Sequence, residues 1–332
     1  MIERFTVLGA GSWGTTLADV LAQKAKVTLW ARSSALCRSI SEKSENETYL
    51  PGIKLSRNIT PTDSLEEALS GAGLIVSAVP SHGLREIISR ARPFIPAKAV
   101  IVSATKGIEE TTGLTPHGII SDVLPRGEHG GIVVLSGPSF ANEVARKLPA
   151  AVCAASESKD AADIVQKTFS TSYFRVYTNS DVIGVELGGA LKNVIAIASG
   201  ISDGLGLGNN ARAALITRGL AEISRLGTRM GANPLTFSGL SGLGDLVLTC
   251  TAALSRNYTV GLEIGRGRKP GDITNSMRMV AEGVRTSKAA MELAASKGVD
   301  MPITGEVYNV LYKGRPPKDA VLELMTRELK GE

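Results

Sequence analysis

The stretch VLGAGSWG near the N-terminus constrains the fold more than any other part of the 332-residue chain. It carries the pattern G-x-G-x-x-G at Gly9, Gly11 and Gly14, directly after the apolar run 5–9 and at the start of a segment with helical spacing. In a strand–turn–helix unit these glycines permit a tight turn, the approach of a pyrophosphate and close packing of the helix on the strand. The N-terminus of the helix then offers N–H groups and a positive dipole end to the phosphates. The pattern predicts a dinucleotide-binding turn, lined by Ser12 and Trp13.

Short apolar runs alternate with amphipathic helical segments through the first half of the chain. This alternation is typical of a parallel sheet with helices on both faces, and together with the glycine pattern it predicts a Rossmann-type doubly wound sheet. The predicted strands are 5–9, 26–30, 74–79, 99–104, 131–136 and 150–156, and the predicted helices between them include 14–24, 64–70 and 82–91.

The pattern changes after about residue 180, where strand-like runs nearly vanish. We therefore expect two domains, a dinucleotide-binding domain over 1–180 and an all-helical substrate and catalytic domain over 181–332. Predicted helices of the second domain lie near 182–202, 210–230, 244–252, 256–266, 280–297 and 303–312.

Composition excludes several classes of protein. The net charge of +5 is spread along the chain, which suits small anionic ligands better than a nucleic-acid track. No apolar run reaches the roughly 18 residues of a membrane span, and the N-terminus does not resemble a signal peptide. The three cysteines lie far apart and predict neither a disulfide framework nor a zinc site, so a cytoplasmic protein is expected.

The end of the second predicted strand bears on the choice of dinucleotide. An acidic residue there would bind the ribose 2′-hydroxyl of NAD, but the sequence reads LWARSS. Arg32 is able to hold a 2′-phosphate through two hydrogen bonds, which favours NADP and leaves NAD open.

Common catalytic templates are missing from the sequence. The three histidines have no metal-ligand spacing, so no metal site is predicted. Polar residues instead follow two predicted strands: Lys106 in SATKGIE, and Gly137 and Ser139 in LSGPSFANEV. Doubly wound sheets bind ligands at the carboxyl ends of their strands, so these residues are candidates for ligand binding.

Lys192 lies within the small and apolar stretch VELGGALKNVIAIASG. A buried ammonium is costly unless it is paired or loses its proton. One interpretation is a lysine that extends its stem to solvent. The other is a desolvated general acid–base at a groove of small residues, including Gly188 and Gly189, that admits a substrate. A second glycine-rich stretch, SGLSGLGDL at 238–246, lacks a preceding strand; we expect it to allow close backbone approach and to deliver Asp245.

Taken in order along the chain, eight stretches resemble the bacterial NAD(P)-dependent sn-glycerol-3-phosphate dehydrogenases. They are GAGSWGTTLA, LWAR, YLPG, SATKGIE, LSGPSFANEV, ELGGALKN, LSGLGDLVLTC and SRNYTVG. The resemblance implies reversible reduction of dihydroxyacetone phosphate to sn-glycerol 3-phosphate for glycerophospholipid synthesis, with NADP(H) or NAD(H). It also implies a helical C-terminal domain like that of 6-phosphogluconate dehydrogenase, and a homodimer.

The same resemblance implies the residues of the site. The proton donor or acceptor would be Lys192, oriented with the help of Lys106 and Asp245. Substrate would be bound by Lys106, Gly137, Ser139, Lys192, Asp245, Ser255, Arg256 and Asn257. The cofactor would be contacted by Gly9, Gly11, Ser12, Trp13, Gly14, Arg32, Tyr49, Lys106, Ala141, Arg256, Val280 and Glu282.

Two alternatives remain open at this point. A β-hydroxyacid dehydrogenase has a similar layout and a helical lysine, but its pattern K-x-x-x-N would need asparagine where this chain has Ala196. A non-catalytic nucleotide sensor would bind the dinucleotide without needing the lysine or a phosphate site.

Overall fold

The computed structural model describes residues 2, 4–277, 280–329 and 331, and the chain forms two compact units. The first unit comprises the residues up to Lys106 together with Leu114–Val185, and the second comprises Gly107–Gly113 and Glu186–Glu332. The chain thus passes between the units at 185/186, near the predicted 180/181 boundary, and the short segment 107–113 belongs to the second unit.

The first unit contains all the strands of the described residues. They are β1 (Arg4–Leu8), β2 (Lys26–Trp30), β3 (Glu45–Asn46), β4 (Leu50–Lys54), β5 (Ile59–Thr62), β6 (Leu74–Ser77), β7 (Val100–Ser103), β8 (Ile132–Ser136), β9 (Ala150–Ala155) and β10 (Phe174–Asn179). Its helices are α1 (Ser12–Leu21), α2 (Ser34–Lys43), α3 (Leu65–Leu69), α4 (Ser81–Ala91), α5 (Pro116–Val123), α6 (Ala141–Ala145) and α7 (Lys159–Phe169), with a 3₁₀ turn at Arg92–Phe94.

Eight strands form one sheet in the order β10-β9-β8-β7-β6-β1-β2-β5. Neighbouring strands are parallel except β8 and β9, which pair antiparallel with Ser136 opposite Cys153. The prediction of a purely parallel sheet is therefore wrong for this pair. A parallel crossover needs a connection that returns along the sheet, usually through a full helix, whereas only the five-residue α6 lies between β8 and β9.

Helices cover both faces of this sheet, which confirms the doubly wound class. One face packs against α1 and α7 through Leu17, Val165 and Phe169. The other packs against α4 and α5 through Ile88 and Ile120. The central strands β6, β7 and β8 are apolar in nearly every position because both of their faces are buried.

The second unit is helical throughout its described residues. Its helices are α8 (Val182–Gly204, whose first turn belongs to the first unit), α9 (Gly208–Arg229), α10 (Asp245–Thr251), α11 (Arg256–Gly265), α12 (Pro270–Ser276), α13 (Glu282–Lys297), α14 (Pro302–Tyr312) and α15 (Pro317–Met325). A 3₁₀ helix at Pro234–Ser238 and a π-helix at Leu240–Gly244 precede α10.

Helix α8 is the centre of the second unit. By length and composition it is apolar enough to cross a membrane, but 94% of its most apolar 18-residue window is buried inside the protein, as in a core helix. It crosses α11 at very short range: a Cβ on Gly200 would lie 2.1 Å from Tyr258 O, and one on Gly261 would lie 2.0 Å from Ile197 O. Glycine on both helices therefore lets the two backbones touch.

Candidate active site

The three glycines of the first turn have three different environments. Gly9 has φ +112°, and a Cβ there would lie 2.9 Å from Ala78 O. A Cβ on Gly14 would lie 1.9 Å from Gly9 O, so the start of α1 requires glycine for packing. A Cβ on Gly11, by contrast, would meet nothing within 4 Å. The turn thus leaves open space over Gly11 at the N-terminus of α1, which fits the approach of a pyrophosphate.

Side chains around this turn hold the neighbouring loops against α1. Ser12 Oγ donates to Tyr49 O at 2.5 Å, and Thr16 Oγ1 donates to Ala141 O at 3.1 Å. The structure therefore brings Ser12, Tyr49 and Ala141 to the same end of α1, as expected for residues that share a ligand. Trp13 packs partly into the core, with its ring centroid 6.3 Å from that of Phe174, so packing accounts for at least part of its role.

Arg32 lies just beyond the end of β2 and is exposed. Its guanidinium takes part in no hydrogen bond or ion pair between described residues, which leaves it available to an anion. The next residue, Ser33, is the N-cap of α2, and its side chain accepts a hydrogen bond from Leu36 N at 3.3 Å. The end of β2 thus carries an exposed cation at Arg32.

Lys106, Gly137 and Ser139 follow the carboxyl ends of the neighbouring strands β7 and β8. Lys106 is half-buried. Gly137 has φ +145°, and a Cβ there would lie 2.9 Å from Val152 Cα, so the backbone of β9 accounts for this glycine. Ser139 Oγ donates to Gly137 O at 3.1 Å within the same turn. The two strand ends therefore present polar groups at one edge of the sheet.

Lys192 is buried and paired. It is 7% exposed, and its Nζ donates to Asp245 Oδ1 and, at 2.9 Å, to Thr249 Oγ1. Asp245 is only 1% exposed, so each charge is compensated by the other in a region that water hardly reaches. The interpretation of a lysine that extends to solvent is therefore wrong. A buried ammonium is tolerated when it is paired or when it loses its proton, and the structure shows Lys192 paired with Asp245.

Thr249 has no place among the residues expected from the sequence. It lies one turn after Asp245 on α10, and its Oγ1 also donates to Asp245 O at 2.6 Å. The signal that could have found it is the i, i+4 spacing, which puts both side chains on one helix face.

The glycine-rich stretch before α10 delivers Asp245 by close packing. A Cβ on Gly188 of α8 would lie 2.5 Å from Ser241 O, and one on Gly242 would lie 2.1 Å from Phe237 O. The expected role of the stretch, close backbone approach and delivery of Asp245, is confirmed. The expectation that Gly188 belongs to a groove open to substrate is wrong, because the π-helix backbone occupies that space.

The start of α11 gathers three of the predicted substrate residues. Ser255 is the N-cap and is buried, and its Oγ accepts from Tyr258 N at 3.2 Å. Arg256 is exposed and occupies the first helical position. Desolvation by surrounding protein atoms lowers the pKa of its guanidinium, and the charge of Glu282 offsets only part of this lowering. An arginine stays protonated under such influences. Here a planar cation and a helix N-terminus, both attractive to anions, occur together.

The Asn257 side chain points into the second unit rather than outward. Its Nδ2 donates to Asn193 Oδ1 at 2.8 Å, and its Oδ1 accepts from Gly283 N at 2.9 Å. Val280 is exposed and Glu282 half-buried at the start of α13. Each end of the Asn257 amide makes one of the two hydrogen bonds open to it, and contact of Asn257 with substrate stays a prediction.

The cysteines are not among the predicted site residues, although Cys250 follows Thr249 on α10 and is within reach of the charges of Lys192 and Asp245. All three are free and buried, and burial raises the pKa of Cys153 to about 11 and that of Cys250 to about 12. Burial also lowers the pKa of His117 and His129. Within the described part of the chain, no three His, Cys, Asp or Glu side chains are grouped as they would be around a metal ion.

Two family models match the chain. The model described as NAD-dependent glycerol-3-phosphate dehydrogenase N-terminus matches residues 4–162, and the model for the C-terminus of the same family matches 181–322. A glycerol-3-phosphate dehydrogenase [NAD(P)+] of Geobacter sp. (strain M21) is 55% identical over 333 residues, covering 100% of this chain and 99% of that protein.

Solved structures agree with this match. The glycerol-3-phosphate dehydrogenase of Coxiella burnetii is 41% identical, with a TM-score of 0.94 over 98% of this chain and 99% of the other. The enzyme of Saccharomyces cerevisiae is 28% identical, with a TM-score of 0.83 over 98% and 100% of the two chains.

Proposed function

The chain belongs to the family of NAD-dependent glycerol-3-phosphate dehydrogenases, and on this premise we propose that it catalyses the reversible reduction of dihydroxyacetone phosphate to sn-glycerol 3-phosphate with NADPH or NADH. The observation that carries the proposal is the buried Lys192–Asp245 pair. Burying a charged group in a helical core that water hardly reaches costs free energy. A chemical role for Lys192 explains this cost better than a purely structural role does.

The cofactor would be held mainly by the first unit. The open side of Gly11 and the N–H groups at the start of α1 suit the pyrophosphate, and Arg32 suits a 2′-phosphate. Ser12, Tyr49 and Ala141 lie at the same helix end and are proposed to contact the cofactor there. When bound, the nicotinamide supplies or accepts the hydride at C2 of the substrate.

Lys192 is proposed to supply the proton. In the reduction its ammonium donates a proton to the oxygen that develops negative charge at C2, and in the oxidation the neutral amine takes the proton back from the hydroxyl. Asp245 and Thr249 hold Nζ in place. Lys106 is proposed to bind both substrate and cofactor from the end of β7.

Phosphate recognition is assigned to the start of α11. The Arg256 guanidinium offers two parallel N–H donors, the Ser255 hydroxyl retains its proton for an acceptor, and the helix N-terminus attracts negative charge. Gly137 and Ser139 are proposed to bind substrate from the end of β8, while Val280 and Glu282 are proposed to contact the cofactor from the start of α13.

Several properties of the family are proposed for this chain as well. We infer a homodimer in the cytoplasm, whose product serves glycerophospholipid synthesis. Apolar side chains exposed over 235–254 support self-association, since large exposed apolar groups commonly mark interfaces.

Turnover measured at the nicotinamide absorbance tests the proposal against its alternatives. The purified protein should oxidise NADPH or NADH in the presence of dihydroxyacetone phosphate and be much slower with 3-oxo or 3-hydroxy acids. Turnover of the acids instead would favour a β-hydroxyacid dehydrogenase. Tight binding of NADPH with no turnover of either substrate would favour a nucleotide sensor.

A further inference from the structure

Asn193 follows Lys192 on α8, and none of the roles proposed above uses it. It is only 6% exposed and is followed directly by the apolar run 194–198 of the same helix. A buried amide is costly unless it is hydrogen-bonded. Its Oδ1 accepts the 2.8 Å hydrogen bond from Asn257, and its Nδ2 donates to Gly189 O at 3.5 Å. The stronger of these bonds therefore ties α8 to α11.

The other end of the Asn257 amide serves a third helix. The N-cap of α13 is Ala281, which has no side-chain acceptor, and Gly283 occupies the second helical position, whose N–H an N-cap side chain usually binds. Asn257 Oδ1 accepts that hydrogen bond from α11. Because a backbone N–H only donates, the Asn257 oxygen must face Gly283 and its Nδ2 must face Asn193.

Close packing keeps this link short. A Cβ on Gly283 would lie 2.5 Å from Asn193 O and 2.9 Å from Asn257 Oδ1. The start of α13 therefore touches the α8 backbone, and only glycine fits there. The link Asn193–Asn257–Gly283 joins three helices, and each carries a residue of the proposed site next to the link: Lys192, Arg256 and Glu282.

We propose that Asn193 is a positioning residue that fixes, through Asn257, the starts of α11 and α13, and thereby the groups that bind the substrate phosphate and the cofactor. This role rests on the proposed function. It concerns binding more than proton transfer, because Lys192 is held separately by Asp245 and Thr249. Loss of Asn193 should therefore raise the binding constants while kcat changes little.

The test measures Asn193→Ala, which removes the acceptor of the Asn257 hydrogen bond and adds no charge among the buried helices. Glu222→Gln is the matched control: Glu222 is 3% exposed on α9 and caps α14 from outside, accepting from Ile303 N at 2.6 Å and Thr304 N at 3.2 Å. It caps a helix as Asn257 does, but it belongs to no part of the proposed site.

Asn193→Ala should raise the KM for dihydroxyacetone phosphate, the Ki of inorganic phosphate and the Kd of NADPH by about tenfold each, the effect of one lost buried hydrogen bond. Its kcat should stay within about threefold of wild type, as one such bond distant from the proton would allow. Glu222→Gln should lower Tm and leave the three binding constants unchanged.

A merely structural Asn193 would give a lower Tm with unchanged binding constants, and this result would overturn the proposal. If Asn193→Ala does not fold, Asn193→Ser, which is too short to reach Asn257, is measured in the same way. Wild type that fails to reduce dihydroxyacetone phosphate would refute the proposed function instead, and the Kd of NADPH, which needs no turnover, would still decide the role of Asn193.

Discussion

At the scale of single residues, burying the charge of Lys192 or of Asp245 alone would cost free energy, whereas the two buried charges compensate each other. Removing one partner of a buried ion pair destabilises a protein by about 3–5 kcal/mol, whereas replacing both partners is often nearly neutral. Replacing Lys192 alone removes both its charge and its proton donor. Replacing Lys192 and Asp245 together leaves no unpaired buried charge, so the loss of the proton donor is measured by itself.

Lys192→Met should lower the free energy of unfolding by about 3–5 kcal/mol, because Asp245 keeps a buried charge without its counter-ion. It should also lower kcat by about 10²–10⁴-fold through loss of general acid catalysis. The double variant Lys192→Met with Asp245→Asn should regain most of the stability in urea unfolding but none of the turnover. Recovery of turnover in the double variant would show that the lysine only balances charge.

Arg256 provides a test of phosphate recognition. Arg256→Lys should lower kcat/KM for dihydroxyacetone phosphate, since an ammonium does not replace two parallel hydrogen bonds. With phosphate-free dihydroxyacetone, the variant and wild type should be similarly poor. An equal fractional loss of kcat/KM on the two substrates would mean that Arg256 does not contact the phosphate.

Arg32 should distinguish the two cofactors. Because a lost charged contact costs about 1.5–3 kcal/mol, Arg32→Ala should raise the KM for NADPH about tenfold or more. The KM for NADH should change much less, and steady-state kinetics with both cofactors measures this difference. Equal losses with both would contradict a contact to the 2′-phosphate.

The sequence shows which residues are unusual but not which of them meet. A lysine among alanines and glycines is visible at position 192, while its partner Thr249 lies 57 residues away and is connected to it in the sequence only through the i, i+4 spacing from Asp245. Asn193 was visible as a polar residue in the same apolar stretch, yet its partner on another helix could not be inferred from spacing.

At the scale of elements, the crossing of α8 and α11 depends on glycines. A Cβ on Gly261 would lie 2.0 Å from Ile197 O and 2.9 Å from Ile201 N, both backbone atoms that cannot rotate away. Gly261→Ala should therefore lower the free energy of unfolding by about 1–3 kcal/mol or more. Gly271→Ala on α12, where a Cβ would meet nothing within 4 Å, should be neutral or stabilising by up to about 1 kcal/mol. Equal urea midpoints for the two variants would contradict this packing.

Elements buried on both sides were predictable, and those at the edges were not. Strands β6 and β7 are continuous apolar runs and were predicted within two residues of their ends. Strand β5 contains Pro61, which argues against a strand except at a sheet edge, and β10 is half exposed at the other edge. The sequence predicts neither edge strand, because their partly polar sequences are consistent with a strand only at a sheet edge, and the order of the strands is not visible in the sequence.

At the scale of the whole molecule, four large apolar side chains remain exposed between 235 and 254. They are Leu235, Leu243, Val247 and Leu254. Leu243 lies in the π-helix and Val247 in the first turn of α10, which follows it directly. If this region forms the proposed homodimer interface, Val247→Lys should shift sedimentation toward monomer. Leu322→Lys, at an exposed apolar residue of α15, is the control and should leave the dimer intact; identical sedimentation of both variants would contradict this interface.

The buried cysteines have a practical consequence for labelling this protein with fluorophores. A thiol must ionise to react with a maleimide, and Cys153 and Cys250, with pKa values of about 11 and 12, stay protonated and shielded at neutral pH. Cys37 is buried as well, and burial raises its pKa too. A cysteine introduced at an exposed position such as Ser34 would then accept a fluorophore selectively without removal of the native thiols. The wild-type chain is thus already a suitable background for distance measurements by energy transfer.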